Sequence, residues 1–345
     1  MNLINMNIKE RMDYYKVSGL SITVIEGGQI STTECFGLLE EGTNKKVDSN
    51  SIFSAASISK FLTSFLVMKL SEQGILDLDE DVNKKLSSWK VPENDFTKNK
   101  KVTLRNLLSH QAGIIDPEGS FTELTLIKGI PSMVELLEGR TSYCNLPIEV
   151  RYEPESNFQY SDAGFCIIQL LIEDVTGLPF QQVMEEQLFQ LLNMKNSTLK
   201  TTIPEAKREW LSSGHNKSRK LVDGKYPIYP YPAAAGLWTT SSDLAILVIE
   251  LMDSLKGQST IGLSARKAKE MISPQGGREW TGLGLFLDGS GQEIEISSLG
   301  WGVGFQCMMV AYPYLRKGVV IMTNTDLGIH QLEGIIGEIY NSLSI

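Results

Sequence analysis

Apolar and polar positions repeat with a period of two at both ends of the chain. Residues 19–26 and 29–37 alternate in this way on either side of Gly27 and Gly28, which predicts a β-hairpin. Beyond Gly276 the same period returns and predicts four more strands, at residues 281–287, 293–299, 305–311 and 318–323. Terminal helices are predicted at residues 8–15 and 331–343.

The middle of the chain shows the helical period instead. Its strongest segment begins at Ser57, is apolar on nearly every side and stops at Gly74, which is typical of a buried helix. Residues 213–232, with several Tyr and Pro residues, are predicted to form a long loop. Further helices are predicted near Thr103 as N-cap, in one or two segments within residues 121–139, and at residues 163–176, 180–192 and 241–252, the last capped by Ser241 or Ser242.

Strands at both ends and helices between them predict an α+β architecture. The simplest arrangement joins the two ends into one mostly antiparallel sheet flanked by the terminal helices, an α/β sandwich, and folds the middle into a helical lobe. We therefore predict a single domain over residues 1–345. Its sheet lobe covers about residues 1–56 and 277–345, and its helical lobe covers about residues 57–276. A cleft between two such lobes is where small ligands usually bind.

Composition and charge narrow the range of partners. The chain has 345 residues and a formal net charge of -9, which repels nucleic acid and anionic membrane surfaces. No apolar run reaches the length of a membrane span or of a signal peptide, so we expect a cytoplasmic protein. The four cysteines lie far apart and show no Cys-x-x-Cys spacing, which argues against a disulfide framework or a metal site.

Two polar residues interrupt the apolar segment at its start. Ser57 and Lys60 are three residues apart, which places both side chains on one face of a helix. Apolar surroundings disfavour the charged form of a lysine and would make it a base near neutral pH. The start of a helix also stabilises negative charge that develops on the serine. The pair is typical of an activated nucleophile.

The spacing Ser-x-x-Lys is a weak signal by itself. It recurs in three places where no long apolar helix follows, namely Ser87 with Lys90, Ser197 with Lys200, and Ser264 with Lys267. A capping serine and a solvated lysine explain the spacing there. Only Ser57 and Lys60 have surroundings that would bury both groups.

Two further segments carry groups that such a nucleophile needs. Tyr160 lies in a turn before the apolar segment 163–176, where its phenol could pass a proton to a leaving group. A packing role for this tyrosine is the simpler alternative. Residues 298–305 are dense in glycine, which lets a substrate approach the backbone N–H groups of a sheet edge. A plain glycine-rich turn is the alternative there.

Together and in this order, these segments resemble the serine β-lactamase and penicillin-binding-protein superfamily. The likeness is greatest to the class C β-lactamase branch, with its D-aminopeptidases, DD-carboxypeptidases and esterases. The family's three motifs fall on Ser57-Ile58-Ser59-Lys60, Tyr160-Ser161-Asp162 and Ser298-Leu299-Gly300. Supporting matches lie at residues 107–113, 234–240 and 320–324.

The resemblance implies a β-lactamase/transpeptidase-like fold and a two-step acyl transfer. Ser57 would attack a carbonyl carbon, and Lys60 and Tyr160 would relay the proton. The backbone N–H groups of Ser57 and Trp301 would hold the oxyanion, and water would release the acyl group. The implied activity is that of a serine hydrolase acting on a small-molecule or short-peptide acyl substrate, without a metal or an organic cofactor.

Two residues depart from the family pattern. Asp162 stands where most relatives have an asparagine, and a carboxylate donates no hydrogen bond unless it is protonated. It could pair with Lys60 and raise the pKa of the amine, or attract a cationic substrate amine. Ser298 replaces the Lys or His that faces the substrate carboxylate in many relatives. We therefore expect weak penicillin hydrolysis and weak carboxypeptidase activity, and a preference for an ester or an amine-bearing amide.

Other activities on the same scaffold stay open at this point. β-Lactamase, D-Ala-D-Ala carboxypeptidase and D-aminopeptidase activities are alternatives, and a transferase would use the same three residues with another acyl acceptor. A non-hydrolytic ligand-binding protein is the alternative from a different class. His110, which follows the helix that begins near Thr103, is predicted to be a structural hydrogen-bonding residue and not a base.

Overall fold

Two antiparallel sheets organise the fold, which a computed structural model describes for residues 6–125, 129–202 and 204–343. The larger sheet has the order β2-β1-β8-β7-β6-β5 and the smaller one pairs β3 with β4. The strands are β1 (Gly19–Glu26), β2 (Gln29–Gly37), β3 (Phe53–Ala56), β4 (Leu237–Thr239), β5 (Phe286–Asp288), β6 (Glu295–Gly302), β7 (Phe305–Tyr312) and β8 (Lys317–Thr323). Because β1 pairs with β8, the two chain ends meet in one sheet, as the sequence predicts.

Helices cover the large sheet and form the rest of the molecule. They are α1 (Ile8–Tyr15), α2 (Ser59–Glu72), α3 (Leu104–Leu108), α4 (Met133–Leu137), α5 (Asp162–Thr176), α6 (Phe180–Met184), α7 (Pro232–Ala235), α8 (Ser241–Leu255), α9 (Ala265–Met271) and α10 (Ile335–Ser342). Within the described residues no single helix is long and apolar enough to cross a membrane. Only α5 and the segment Phe180–Phe189 reach that length and composition together, and they are bent by 81°.

The central strands of the large sheet, β1, β7 and β8, are buried on both faces. Leu20, Ile22 and Val24 of β1 point to the side that α1 and α10 cover. On the other side, the hydroxyls of Ser21 and Thr23 lie 2.8 and 2.7 Å from the Ser241 hydroxyl at the start of α8. The fold is therefore a sheet between helical layers, which confirms the predicted α+β class. The lobe boundaries near residues 56 and 277 stay a prediction.

The apolar segment after Ser57 is the central helix of the other half. Every residue of α2 from Ser59 to Leu70 is buried, so the helix needs no polar face. The neighbours of α2 are α7 and α9, and α5 packs against α7, α4 and α3. The two helices that follow the first and second motifs thus share one core, which brings the motifs close together.

The predicted helix boundaries are wrong in several places. The helix predicted from Ser57 begins at Ser59, and α8 is capped by Thr240, whose side chain accepts from the Asp243 N–H. Within residues 121–139 the described part is helical only in α4, and residues 126–128 of that prediction lie outside the described residues. Sequence periodicity predicts neither α7 nor α9, because helices of 4 and 7 residues hold too few turns to show a period.

The strand predictions are wrong where glycines or complete burial remove the alternation of apolar and polar residues. The strand predicted at 281–287 shrinks to β5, because Gly284 just before it has a φ of +72°. Conversely, β6 continues through Gly302, so most of the glycine-dense segment is strand and not turn. No alternation predicts β3 and β4, since both strands are short and buried throughout.

Candidate active site

Ser57 lies in the turn between β3 and α2. The turn is closed by hydrogen bonds from the Ile58 N–H to Ala55 O and from the Lys60 N–H to Ser57 O, each 3.0 Å long. Ala56, just before the serine, has a φ of +43°, a backbone conformation that residues other than glycine rarely adopt. Ser57 is half-buried, whereas Lys60 is only 3% exposed. The turn therefore presents the hydroxyl to a cleft and keeps the amine inside.

The Lys60 ammonium contacts three oxygen atoms. Nζ donates to Ser57 Oγ at 3.2 Å and to Ala234 O at 2.9 Å, and it lies 2.6 Å from Asp162 Oδ1. An amine that donates two hydrogen bonds and lies against a carboxylate has the surroundings of a charged lysine. Burial lowers the pKa of Lys60, but the Asp162 carboxylate and Tyr160 raise it by more, so this pKa stands above its ordinary value.

The expectation that burial makes Lys60 a base near neutral pH is therefore wrong. Desolvation alone would lower the pKa of the amine, but a carboxylate in contact with a buried ammonium favours the charged form. The geometry matches the other alternative, in which Asp162 pairs with Lys60 and holds its proton.

Tyr160 lies beside both groups. The centre of its ring is 4.7 Å from Lys60 Nζ, and Tyr160 is 36% exposed, so the ring also faces the cleft. Burial raises the pKa of the Tyr160 phenol, and the Lys60 ammonium opposes this shift. The structure thus brings Ser57, Lys60 and Tyr160 together, with both the amine and the phenol protonated at neutral pH.

His110 supports the second motif from behind. Its ring stacks on the Tyr160 ring at a centroid distance of 4.3 Å, and its Nδ1 accepts from the Ser161 N–H at 3.1 Å. Burial and the nearby Lys60 charge lower the pKa of His110 to about 3. The imidazole is therefore neutral and acts as a hydrogen-bond acceptor, in line with the structural role predicted for it.

The third motif lies on β6, next to β3, the strand that precedes Ser57. A Cβ at Gly300 would come within 2.2 Å of Ala55 O, so only glycine lets β6 approach β3 this closely. Ser298 is 5% exposed and lines the cleft. Trp301 is 45% exposed, and its indole Nε1 donates to Asp326 Oδ1 at 2.8 Å.

The cleft consists of two cavities that meet at Ser57 and Trp301, the two described residues that line both. The first, here called the apolar cavity, has a volume of about 280 Å³ and is lined by Tyr160, Leu285, Phe286, Ser298 and Leu299, among others. The second, here called the acidic cavity, has a volume of about 360 Å³ and is lined by Glu123, Asp162, Tyr229, Tyr231 and Asp326, among others. Within the described residues, no carboxylate lines the apolar cavity and no lysine or arginine lines the acidic cavity.

Sequence reasoning missed three carboxylates around the cleft. Glu123 and Asp326 lie in loops far apart in the chain, and no periodicity or spacing links either to Ser57. Asp116 lies in a loop directly behind Asp162, and the only signal for it is a single acidic residue that follows two isoleucines. Such carboxylates can be found only once the fold brings the loops together.

Comparison with known proteins decides the family. A protein-family model described as Beta-lactamase matches residues 4–334. The chain belongs to the β-lactamase family. This places it in the β-lactamase and penicillin-binding-protein superfamily, as the three motifs predict.

Relatives within the family are distant. Protein flp of Staphylococcus aureus (strain MW2) is 24% identical over 226 residues, which cover 66% of this chain and 42% of flp. Penicillin-binding protein 4* of Bacillus subtilis (strain 168) is 22% identical over 337 residues, which cover 89% of this chain and 68% of that protein. The chain thus spans less than half the length of flp.

A solved structure supports the fold. D-alanine carboxypeptidase AmpC from Burkholderia cenocepacia superposes with a TM-score of 0.74 at 19% identity, over 99% of this chain and 98% of that one. At this identity the likeness shows the fold alone, and that fold is the predicted β-lactamase/transpeptidase-like one.

Proposed function

We propose that the protein hydrolyses an ester or an amide in two steps, through an acyl-enzyme on Ser57. The observation that carries this proposal is the 3.2 Å contact between Ser57 Oγ and the buried Lys60 Nζ, with Tyr160 beside both. A half-buried hydroxyl in contact with groups that hold and release protons is the arrangement of an activated nucleophile.

In the first step Ser57 Oγ bonds to the carbonyl carbon of the substrate. Its proton passes to the Lys60–Tyr160 pair and from there to the leaving group, as the bond between the acyl carbon and that group breaks. In the second step water adds to the acyl ester, the bond to Oγ breaks, and Ser57 regains its proton. The N–H groups of Ser57 and Trp301 are the donors we assign to the oxyanion.

The pair has to give up one proton before it can accept that of Ser57. Lys60 and Tyr160 both have a raised pKa, and each group affects the pKa of the other. The two groups therefore titrate as a coupled pair. Asp162 raises the pKa of both groups. We therefore assign Asp162 the role of setting the pH at which the nucleophile becomes active.

The two cavities suggest which part of the substrate lies on each side. Tyr160, which would protonate the leaving group, lines the apolar cavity, so that cavity suits an uncharged leaving group. The acyl group would then lie in the acidic cavity, where Lys60 balances Asp162 but Glu123 and Asp326 remain. Two carboxylates in a cavity attract a cation. An amine-bearing acyl group on an apolar leaving group is the substrate of an aminopeptidase or an amino-acid esterase.

The same lining argues against β-lactams and C-terminal D-alanine as good substrates. Their carboxylate needs a cation, and Ser298 supplies only a hydroxyl where many relatives have Lys or His. In the described part of the chain, Lys60 is the one lysine or arginine that lines either cavity, and Asp162 already pairs with it. A substrate carboxylate would therefore lose its hydration without gaining a lysine or arginine that is free to pair with it.

A substrate panel tests this proposal. We would compare p-nitrophenyl esters and p-nitroanilides of alanine, each with a free and with an acetylated amine, and a chromogenic cephalosporin, with Ser57→Ala as the blank. We predict that kcat/KM is highest for the free-amine esters and at least about 100-fold lower for the cephalosporin. Rapid turnover of the cephalosporin together with inert esters would contradict this prediction.

A further inference from the structure

Asp116 receives three hydrogen bonds from the start of α5. Its Oδ1 accepts from the Ser161 hydroxyl at 2.7 Å and from the Ala163 N–H at 3.0 Å, and its Oδ2 accepts from the Asp162 N–H at 2.7 Å. The carboxylate belongs to a different loop, which follows Gly113, so it joins two distant parts of the chain at the second motif.

These contacts occupy the first N–H groups of α5, which would otherwise be free to donate to the Asp162 carboxylate. The first N–H groups of a helix have no partner within the helix, and they favour a carboxylate in the first turn. Asp162 is the first residue of α5, and the Ser161 hydroxyl already accepts from the Gly164 N–H at 3.1 Å. Because Asp116 takes the N–H groups of residues 162 and 163, the Asp162 side chain is left to turn towards Lys60.

Charge acts in the same direction. Burial raises the pKa of Asp116, the neighbouring Asp162 raises it further, and the three hydrogen bonds oppose both effects. Two carboxylates this close repel each other, and one ammonium lies within reach of Asp162. The position of lowest energy for the Asp162 carboxylate is therefore the one that faces Lys60 Nζ, away from Asp116.

We propose that Asp116 is a positioning residue for acyl transfer, which acts through Asp162 to hold Lys60 and Tyr160 in line with Ser57. The inference rests on the proposed function, since it concerns the same nucleophile. Asp116 lines neither cavity and so touches no substrate. A merely structural alternative exists, in which Asp116 only caps α5 and contributes about 1 kcal/mol to folding.

A double-mutant cycle separates the two roles. The variants are Asp116→Asn, Asp162→Asn and their combination, each measured on a p-nitrophenyl ester for kcat and KM, with Tm as the folding control. Asn keeps the shape of Asp116 but offers one acceptor oxygen to three donors. We expect Asp116→Asn to lower kcat, compared at the pH optimum of each protein, about 10- to 100-fold, since small misplacements of catalytic groups cost that much, with KM changed less than about threefold.

Coupling to Asp162 decides the result. If Asp116 acts through Asp162, adding Asp116→Asn to Asp162→Asn changes kcat by less than about threefold. If the full loss persists in the Asp162→Asn background, or if only Tm falls, Asp116 is a structural cap and the inference is wrong. Should Asp116→Asn not fold, Ser161→Ala removes one of its three donors and is expected to lower kcat about 3- to 10-fold.

A crystal structure of the Asp116→Asn variant provides a test that does not depend on turnover. We expect the Asp162 carboxylate to leave Lys60 Nζ and turn to the N–H groups of its own helix. An unchanged contact of 2.6 Å would overturn the inference even if the wild-type protein forms the acyl-enzyme. Conversely, a wild-type protein that never acylates Ser57 contradicts the proposed function, and this structure still tests Asp116.

Discussion

Lys60 Nζ lies closer to Asp162 Oδ1, at 2.6 Å, than to Ser57 Oγ, at 3.2 Å. The shorter of these two contacts of the Lys60 amine is therefore an ion pair with a carboxylate, and not the hydrogen bond to the nucleophile. An asparagine, the commoner residue at this motif position, would leave the buried amine without a counter-charge. The aspartate at position 162 in the second motif thus stabilises the charged form of Lys60 in the first motif.

Asp162→Asn should move the pH profile of the enzyme to lower pH. The Asp162 charge raises the pKa of both Lys60 and Tyr160, so its removal lowers both, and the pair releases its proton at a less alkaline pH. We expect the rising limb of kcat/KM to shift down by about one pH unit or more, measured between pH 6 and 10.5. The control is Asp174→Asn, whose carboxylate binds Ser87 and Ser88 outside both cavities, and it should leave the profile unchanged. Identical profiles for all three proteins would show that Asp162 does not set this titration.

Gly300→Ala should disable the site by steric conflict. The added Cβ would lie 2.2 Å from Ala55 O and 2.4 Å from Cys307 Sγ, so β6 would have to move away from β3, the strand that precedes Ser57. Overpacking of this kind costs about 1–3 kcal/mol of unfolding free energy, and we expect kcat to fall about 100-fold. In Gly164→Ala the nearest contact is an ordinary 3.6 Å, so this helix variant should be stabilised by about 0.5–1 kcal/mol. Urea unfolding and ester turnover measure both effects, and equal behaviour of the two variants would refute the close approach.

Glu123→Gln should weaken the binding of amine-bearing substrates alone. The change removes one negative charge from the acidic cavity and keeps the size of the side chain. Loss of an attraction worth about 1 kcal/mol raises KM for a free-amine ester about fivefold, and high salt should reduce the difference. The N-acetylated ester and the exposed variant Glu118→Gln serve as controls, and neither should show a change. A fivefold effect on the acetylated ester as well would mean that Glu123 acts by shape and not by charge.

His110→Asn should flatten the acid side of the stability profile. The pKa of His110 is about 3 in the folded protein and about 6.5 when unfolded, so its contribution is present above pH 6.5 and is lost as the pH falls towards 3. Between pH 7 and pH 5 this one group removes about 2 kcal/mol of unfolding free energy. Asn retains an acceptor for the Ser161 N–H and tolerates the φ of +57° at this position. Urea unfolding at the two pH values should therefore show a loss about 2 kcal/mol smaller for the variant; parallel losses would contradict a buried neutral imidazole.

Period and spacing predict most of the fold. The alternation in β1 and β2 and the apolar stretch of α2 determine the sheet and the central helix, because each is long enough to show its period. The boundaries at Ser57 and in β6 are not predictable in this way. There a four-residue buried strand and a glycine-rich edge are fixed by the approach of β3 to β6, which is a tertiary contact.

The candidate site is predictable as far as its motifs are local. Ser57 and Lys60 are linked by their spacing of three residues across the turn that leads into α2, and Tyr160 by its place before α5. The charge of Lys60 is not, because it depends on whether Asp162 or the apolar walls dominate, and only the 2.6 Å distance decides this. Likewise, only the folded chain brings Glu123 and Asp326 into the lining of the same cavity.

Mass spectrometry of the acylated protein shows directly whether Ser57 is the nucleophile. The folded protein is mixed with a free-amine p-nitrophenyl ester, quenched in acid within seconds, and digested for peptide mapping, with Ser57→Ala treated in parallel. We predict one acyl group on Ser57 of the wild-type protein and none at any position of the variant. Turnover without an adduct on Ser57, or the same adduct in Ser57→Ala, would contradict this prediction.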